Sequence, residues 1–234
     1  MKTIGILNES TLHKQLKTMF STDGAKTEKY IDKYICDIVC ADGKIIEIQT
    51  SNLSKLRNKL VALLDNHKIE IIFPIIVNNW ITIYNAENED IKTDINDFKK
   101  KSTRKSPKHN TFFSIFREIT GCYFLLDNEN LSLHIVYIDA ETIKLKDIHK
   151  QTKRGTYHIY DKKLLRINYE EIYNSLSEII SKVLILLPDT FTSKDIIAIS
   201  DKKNYSYILW VLKKANAISV LEKQGRTIRY KKKI

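Results

Sequence analysis

The sequence predicts an α/β protein: a mixed-sheet core in the order αβββαβ, an α+β extension, and a C-terminal domain of short helices and a hairpin. Three observations predict it. Two alternating β-branched runs meet at Ala41-Asp42-Gly43 and make a hairpin of Tyr34 to Thr50. A leucine stripe at Leu53, Leu56, Leu60, Leu63 and Leu64 precedes the apolar run 69–77, so a helix leads into a buried strand that returns parallel to the sheet. From Pro188 onward, two short apolar-periodic segments are followed by two strand-like runs around Gly225. These changes of character divide the chain into a core at 1–84, an extension at 85–168 and a C-terminal domain at 169–234.

In chain order, residues 8–20 read as a helix, with Asn8 as cap and Glu9, Leu12, His13, Leu16, Met19 and Phe20 along one face. Lys26 to Ile31 reads as a short strand and Asp32-Lys33 as the turn into the hairpin. Ser51 or Asn52 caps the next helix, whose Lys55, Arg57 and Lys59 point away from the leucine face. Trp80 to Tyr84 extends the sheet, and Asn85 to Asp97 is an acidic loop. The run Lys99, Lys100, Lys101, Arg104, Lys105 and Lys108 reads as a mobile basic loop suited to phosphates. Phe112, Phe113 and Phe116 read as helix core, and Leu131 to Ile138 as a strand. Lys150 to Ile167 alternates cations with tyrosines, and Tyr169 to Leu187 reads as a long amphipathic helix. Thr192 and Asp195 have the spacing of a helix cap.

The 234 residues, 43% of them hydrophobic, suffice for one large or two modest cores. No signal peptide or membrane-spanning run is evident, so the expectation is a soluble cytoplasmic protein without a membrane partner. Cys36, Cys40 and Cys122 are odd in number and lack ligand-like spacing, which reads as reduced thiols rather than a disulfide or zinc framework. His109, His134 and His149 read as ordinary surface or core histidines. A formal charge of +11 favours a polyanionic partner over an acidic protein or a membrane surface.

The hairpin carries the chemistry. A three-residue loop with Gly43 in the left-handed conformation sets Cys40 opposite Lys44, hence Asp37 opposite Glu47 and Ile35 opposite Gln49. A two-residue loop would send Asp37 and Glu47 to opposite faces. Two carboxylates on an apolar sheet face repel one another and lose water, so something must neutralise them. Mg²⁺, or Mn²⁺, takes carboxylate and carbonyl oxygens, and the Ile48 carbonyl is the third donor at hand. Pairing of the two acids with lysines on a solvent-facing sheet is the alternative.

With an acid on the second strand and Glu-x-Gln on the third, the order helix, three strands, helix, strand over residues 8–77 resembles the core of the PD-(D/E)XK nuclease superfamily. The resemblance implies that Asp37 and Glu47 bind the metal, that Gln49 stands at the position of the usual lysine, and that Glu9 is the helix acid. It further implies metal-assisted hydrolysis of DNA, with Lys44 or Lys55 offsetting charge. No proline precedes Asp37, and Gln replaces the lysine.

The segment from Pro188 resembles a winged helix-turn-helix domain, and its eleven Lys/Arg against four Asp/Glu give it a net charge of +7. That resemblance puts Lys202, Lys203, Asn204, Tyr205 and Ser206 in a major groove and Lys223 and Arg226 on the backbone of double-stranded DNA. Lys101, Arg104 and Lys105 add contacts from the basic run. The expectation is a Mg²⁺-dependent DNA endonuclease, a homodimer because a duplex has two strands to cut, with a restriction or defence role. The alternative is a non-catalytic winged-helix DNA-binding regulator on a decayed nuclease-like core.

Overall fold

Helix α1 (Thr11–Phe20) opens the computed structural model, which describes residues 9–85, 99–146 and 157–233. Strand β1 (Lys26–Ile31) turns into β2 (Tyr34–Val39), and β2 turns into β3 (Ile45–Ile48). A 3₁₀ turn at Leu53–Leu56 runs into α2 (Arg57–Leu63), followed by the long strand β4 (Ile69–Asn85) and by β5 (Lys99–Lys105). Next come α3 (Ile115–Ile119), β6 (Leu131–Lys146), β7 (Tyr157–Tyr173) and α4 (Leu176–Leu184). The chain ends in β8 (Thr190–Thr192), α5 (Ser193–Ile199), α6 (Tyr205–Lys214), β9 (Ile218–Gln224) and β10 (Thr227–Lys232). The fold class is α/β, with a mixed sheet: the hydrogen-bonded order is β1-β2-β3-β4-β6-β7, β5 pairs with β4, and a separate sheet runs β8-β10-β9.

The residues cluster into two compact units that interleave along the chain. One comprises Met1–Phe20, Pro74–Asn110 and Val136–Glu170; the other comprises Ser21–Phe73, Thr111–Ile135 and Glu171–Ile234. In the second unit β1 and β2 are antiparallel, β2 and β3 are antiparallel, and β3 returns through α2 to the first residues of β4 as a parallel neighbour. All four residues of β3 are buried, as are Ile69 to Phe73, as expected of strands covered on both faces. Leu53, Leu56, Leu60 and Leu63 supply the helical cover. Cys36 and Cys122 are buried free thiols, and burial pushes both up to about 11; Cys40 is free and half-buried. Gly121 packs on Ser54 so closely that a Cβ there would lie 2.4 Å from the Ser54 Cβ.

In the first unit α1 is fastened to β7. The Asp161 carboxylate accepts hydrogen bonds from the Thr11 N–H at 2.9 Å and the Thr11 hydroxyl at 2.5 Å, and the Gln15 side chain accepts from the Leu164 N–H at 2.8 Å. Asp139, buried beneath β7, accepts from Asn78 at 2.7 Å and from Asn168 and Arg166 at 3.0 Å. Burial alone would raise its pKa, but the Asn168, Asn78 and Arg166 contacts outweigh it and hold the carboxyl below its ordinary value.

Three expectations are corrected. The basic run is a strand, not a loop: β5 pairs antiparallel with β4, Trp80 opposite Lys105 and Ile81 opposite Arg104. Cross-strand pairing there outweighs the weak strand preference of lysine. Residues 169–173 belong to β7, and the helix starts only at Leu176, where the Ser175 hydroxyl accepts from the Glu178 N–H at 3.2 Å. Neither Ser51 nor Asn52 caps the helix after the hairpin by its side chain; Asn52 takes a left-handed turn (φ 55°), with no side-chain cap bond, and its N–H is held by Glu118. The Thr192–Asp195 capping box is present. Residues 86–97 of the acidic stretch, together with His149, Lys150, Lys153 and Arg154, lie outside the described residues. Among the described residues no helix is long and apolar enough to cross a membrane.

The Gly121–Ser54 approach yields a stability test. Gly121→Ala forces a side-chain carbon against Ser54 and is expected to cost about 1–3 kcal/mol. Denaturant unfolding measures it, and adding Ser54→Gly is expected to restore much of the loss.

Candidate active site

Gly43, at φ +87°, closes the three-residue loop: its N–H donates to the Cys40 carbonyl at 3.0 Å, and the Cys40 N–H donates to the Lys44 carbonyl at 2.8 Å. Ile38 then lies opposite Ile46 and Val39 opposite Ile45, and continuing that register sets Asp37 opposite Glu47. The two acids share a face and are linked through the backbone. The Ile48 N–H donates to Asp37 Oδ2 at 2.8 Å, and the Asp37 N–H approaches Glu47 Oε1 at 3.4 Å.

Glu47 is only 3% exposed, whereas Asp37 is half-buried. From α2, Lys59 extends its ammonium to Glu47 Oε1 at 2.5 Å and to the Ile35 carbonyl at 2.5 Å. Burial pushes Glu47 up to about 7; Lys59 opposes that rise and the neighbouring Asp37 charge adds to it. The local chemistry is therefore a carboxyl raised toward neutrality beside a second carboxylate, with one ammonium offsetting part of their charge. Among the described residues, no three His, Cys, Asp or Glu side chains come together as a metal cluster.

The other predicted site residues divide. Gln49 turns its amide to the Ser51 carbonyl and, at 3.3 Å, to the Asn52 carbonyl. Glu9 belongs to the other compact unit, precedes α1, and is engaged there by His13 and by Lys17 at 2.6 Å. Neither predicted charge-offsetting lysine meets the carboxylates: Lys44 pairs with Glu70, and Lys55 is exposed on the 3₁₀ turn. Lys59 does so instead, against the expectation that it points outward. The signal for it was present, since position 59 lies three residues after Leu56 and four before Leu63, on the buried stripe.

A second buried acid was also missed. Glu70 pairs with Ile46 across the parallel strands, so it lies on the face opposite Glu47, where it meets His134 Nδ1 at 2.6 Å and the Lys44 ammonium. The His134 hydrogen bond outweighs burial, and with Lys44 it holds the Glu70 carboxyl down at about 2. An acid inside the apolar run 69–77 was its sequence signal.

Among the proposed DNA contacts, Lys202, Lys203 and Ser206 are exposed at the start of α6, with Asn204 and Tyr205 half-buried. Asp201 organises this corner, accepting from the Lys203 and Asn204 N–H groups at 2.7 Å and from the Asn204 amide at 3.0 Å. Lys223 and Arg226 are exposed about the turn between β9 and β10. Lys101, Arg104 and Lys105 are exposed on β5, with Lys105 over the Trp80 ring at 5.4 Å.

The family model described as a domain of unknown function (DUF8091) matches residues 10–174, the greater part of the chain. The chain belongs to this family. The matched span contains the hairpin, Lys59 and β5, and ends just before α4. An uncharacterized protein of Treponema pallidum (strain Nichols) is 35% identical over 230 residues, covering 98% of this chain and 88% of its own length. No solved structure matches the chain.

Glu70 gives a pH test. Its carboxyl falls from 4.5 to about 2 on folding, so the unfolded chain binds the proton more readily between those values. The resulting stabilisation is complete above pH 4.5 and disappears as pH falls toward 2. Glu70→Gln is expected to lose about 3 kcal/mol at pH 7 and progressively less below pH 4.5, read from paired urea melts.

Proposed function

We propose that the protein is a Mg²⁺-dependent endodeoxyribonuclease hydrolysing phosphodiester bonds in duplex DNA, working as a homodimer in restriction or defence. The observation behind this reading is the Asp37–Glu47 pair, with the Ile48 peptide beside it and Lys59 against it. The donor set suits a hard divalent cation, which is commonly held by one or two carboxylates and completed by water and a substrate phosphate. Asp37, Glu47 and the Ile48 carbonyl would hold the ion; when bound, it supplies charge for a phosphate oxygen and lowers the pKa of a water.

The chain's own residues contribute orientation and charge. The Ile48 N–H fixes Asp37 Oδ2, so that carboxylate is presented without a rotamer search. Burial around Glu47 strengthens each charged contact there. Lys59 supplies the ammonium that Gln49 lacks: it neutralises Glu47 and brings positive charge to a phosphate bound beside that carboxylate.

The C-terminal elements support docking on DNA. The order α4, β8, α5, α6, β9, β10, with sheet order β8-β10-β9, is similar to that of a winged helix-turn-helix domain. In that comparison α6 is the reading helix, preceded by exposed Lys202 and Lys203, and the β9–β10 turn with Lys223 and Arg226 is the wing. Fold alone does not set function, so this part of the reading rests on charge and exposure as well.

Two observations favour a second reading, a non-catalytic DNA-binding regulator on a decayed nuclease-like core. Gln49 is occupied with the 51–52 backbone, and Glu47 is already neutralised by Lys59.

Plasmid and genomic DNA incubated with Mg²⁺ or Mn²⁺ separate the two. The nuclease reading expects cleavage that falls by about a hundredfold or more in Asp37→Ala and in Glu47→Ala while DNA binding persists. Intact DNA under all these conditions, with binding unimpaired, would replace it with the regulator.

A further inference from the structure

A cleft of about 520 Å³ opens in the unit that contains β5, within the size range of small-ligand sites, roughly 300–1,000 Å³. Four cations line it: Arg104 from β5, Lys108 just beyond it, Lys144 from β6 and Lys162 from β7. None of its described lining residues is acidic. Among the described residues, none of these four cations is paired with a carboxylate. The acid adjacent to Lys162 in sequence, Asp161, is committed to the N-terminus of α1 through Thr11.

Four like charges drawn toward one concavity repel each other, and a cleft wall focuses their field. The arrangement is favourable when an anion lies among them. The floor is neutral and polar: the Thr142 hydroxyl and the Asn79 side chain are hydrogen-bonded to each other at 3.0 Å, and Ser106 is fixed by its N–H on the Asn79 carbonyl at 2.7 Å. Ile76, Ile81, Pro107 and Ile159 add apolar surface to the lining, the last 57% exposed. Cations mixed with apolar surface match a ligand that carries a phosphate together with a sugar and base.

We infer that this cleft is a nucleotide-phosphate site, taking a phosphoryl group on Arg104, Lys108, Lys144 and Lys162 and the sugar and base against the apolar part of its lining. The nucleotide is either free or part of a single strand. The inference goes beyond the nuclease reading, because it needs no metal and neither Asp37 nor Glu47. It converts the basic run from a set of exposed cations into one side of a formed site.

The test is binding by the full-length protein in EDTA, with fluorescein-labelled oligo(dT) followed by anisotropy and ATP followed by calorimetry. Lys144→Gln/Lys162→Gln is expected to weaken at least one of the two ligands by about tenfold or more. For the oligonucleotide, the salt slope should also become shallower, by about 0.7 per lost phosphate contact. Arg104→Gln/Lys108→Gln, at exposed positions, is expected to act in the same direction and guards against misfolding of the strand variant; Lys144→Arg/Lys162→Arg is expected to retain binding. ATP binding with these sensitivities identifies a free nucleotide, whereas sensitivity for oligo(dT) alone identifies a strand. The inference is overturned if both glutamine pairs, folded by circular dichroism, bind both ligands as the unsubstituted protein does. It is equally overturned if only Lys202→Ala/Lys203→Ala lowers binding. Because EDTA removes any metal contribution, loss or retention of DNA cleavage has no bearing on either result.

Discussion

Much of the chemistry here depends on strand register, and register depends on the backbone at Gly43. In the left-handed conformation that residue closes a three-residue loop, and the pairing that follows sets Asp37 against Glu47 rather than on the opposite face. A side chain at position 43 would meet no steric neighbour, so the constraint is conformational rather than one of space. Once the register is set, two negative charges must coexist on a sheet face with little water. Lys59 answers part of that demand from α2, which ties the helix to the hairpin by charge as well as by its leucines.

The parallel pair β3–β4 carries two buried acids in contrasting environments. Glu47, with burial as the largest influence and Asp37 nearby, is pushed up to about 7. Glu70, on the other face, is brought down to about 2 by His134 and Lys44. A structural acid needs firm ionisation and fixed partners, which Glu70 has. Glu47, raised toward neutrality and held by a single ammonium, lacks that set of fixed partners, and the two acids therefore sit in opposite electrostatic settings within one sheet.

What could be read from the sequence was mostly local. Alternation and turn chemistry were enough for β1, β2 and β3 and for the parallel return of β4, and the Thr192–Asp195 spacing was enough for the cap of α5. Where tertiary contacts decided, local reading failed. Lys99–Lys105 has little intrinsic strand preference but pairs along β4. Tyr169 to Tyr173 is compatible with a helical stripe and continues β7 instead, with the break announced only by Ser175 and its partner Glu178. Lys59 is charged, yet its position on the leucine stripe carries it inward. The Glu70–His134 contact joins residues 64 apart in sequence, a pairing that no local spacing encodes.

In the proposed divalent-cation site at Asp37 and Glu47, Lys59 stands in for the cation when none is bound. Titration of the protein with Mn²⁺, with the free ion counted by electron paramagnetic resonance, tests it without requiring turnover. One Mn²⁺ is expected to bind per chain, displaced by Mg²⁺, lost in Glu47→Gln, and bound more tightly in Lys59→Met because the competing ammonium is gone. Absence of Mn²⁺ binding, or binding undiminished in Glu47→Gln, would contradict it.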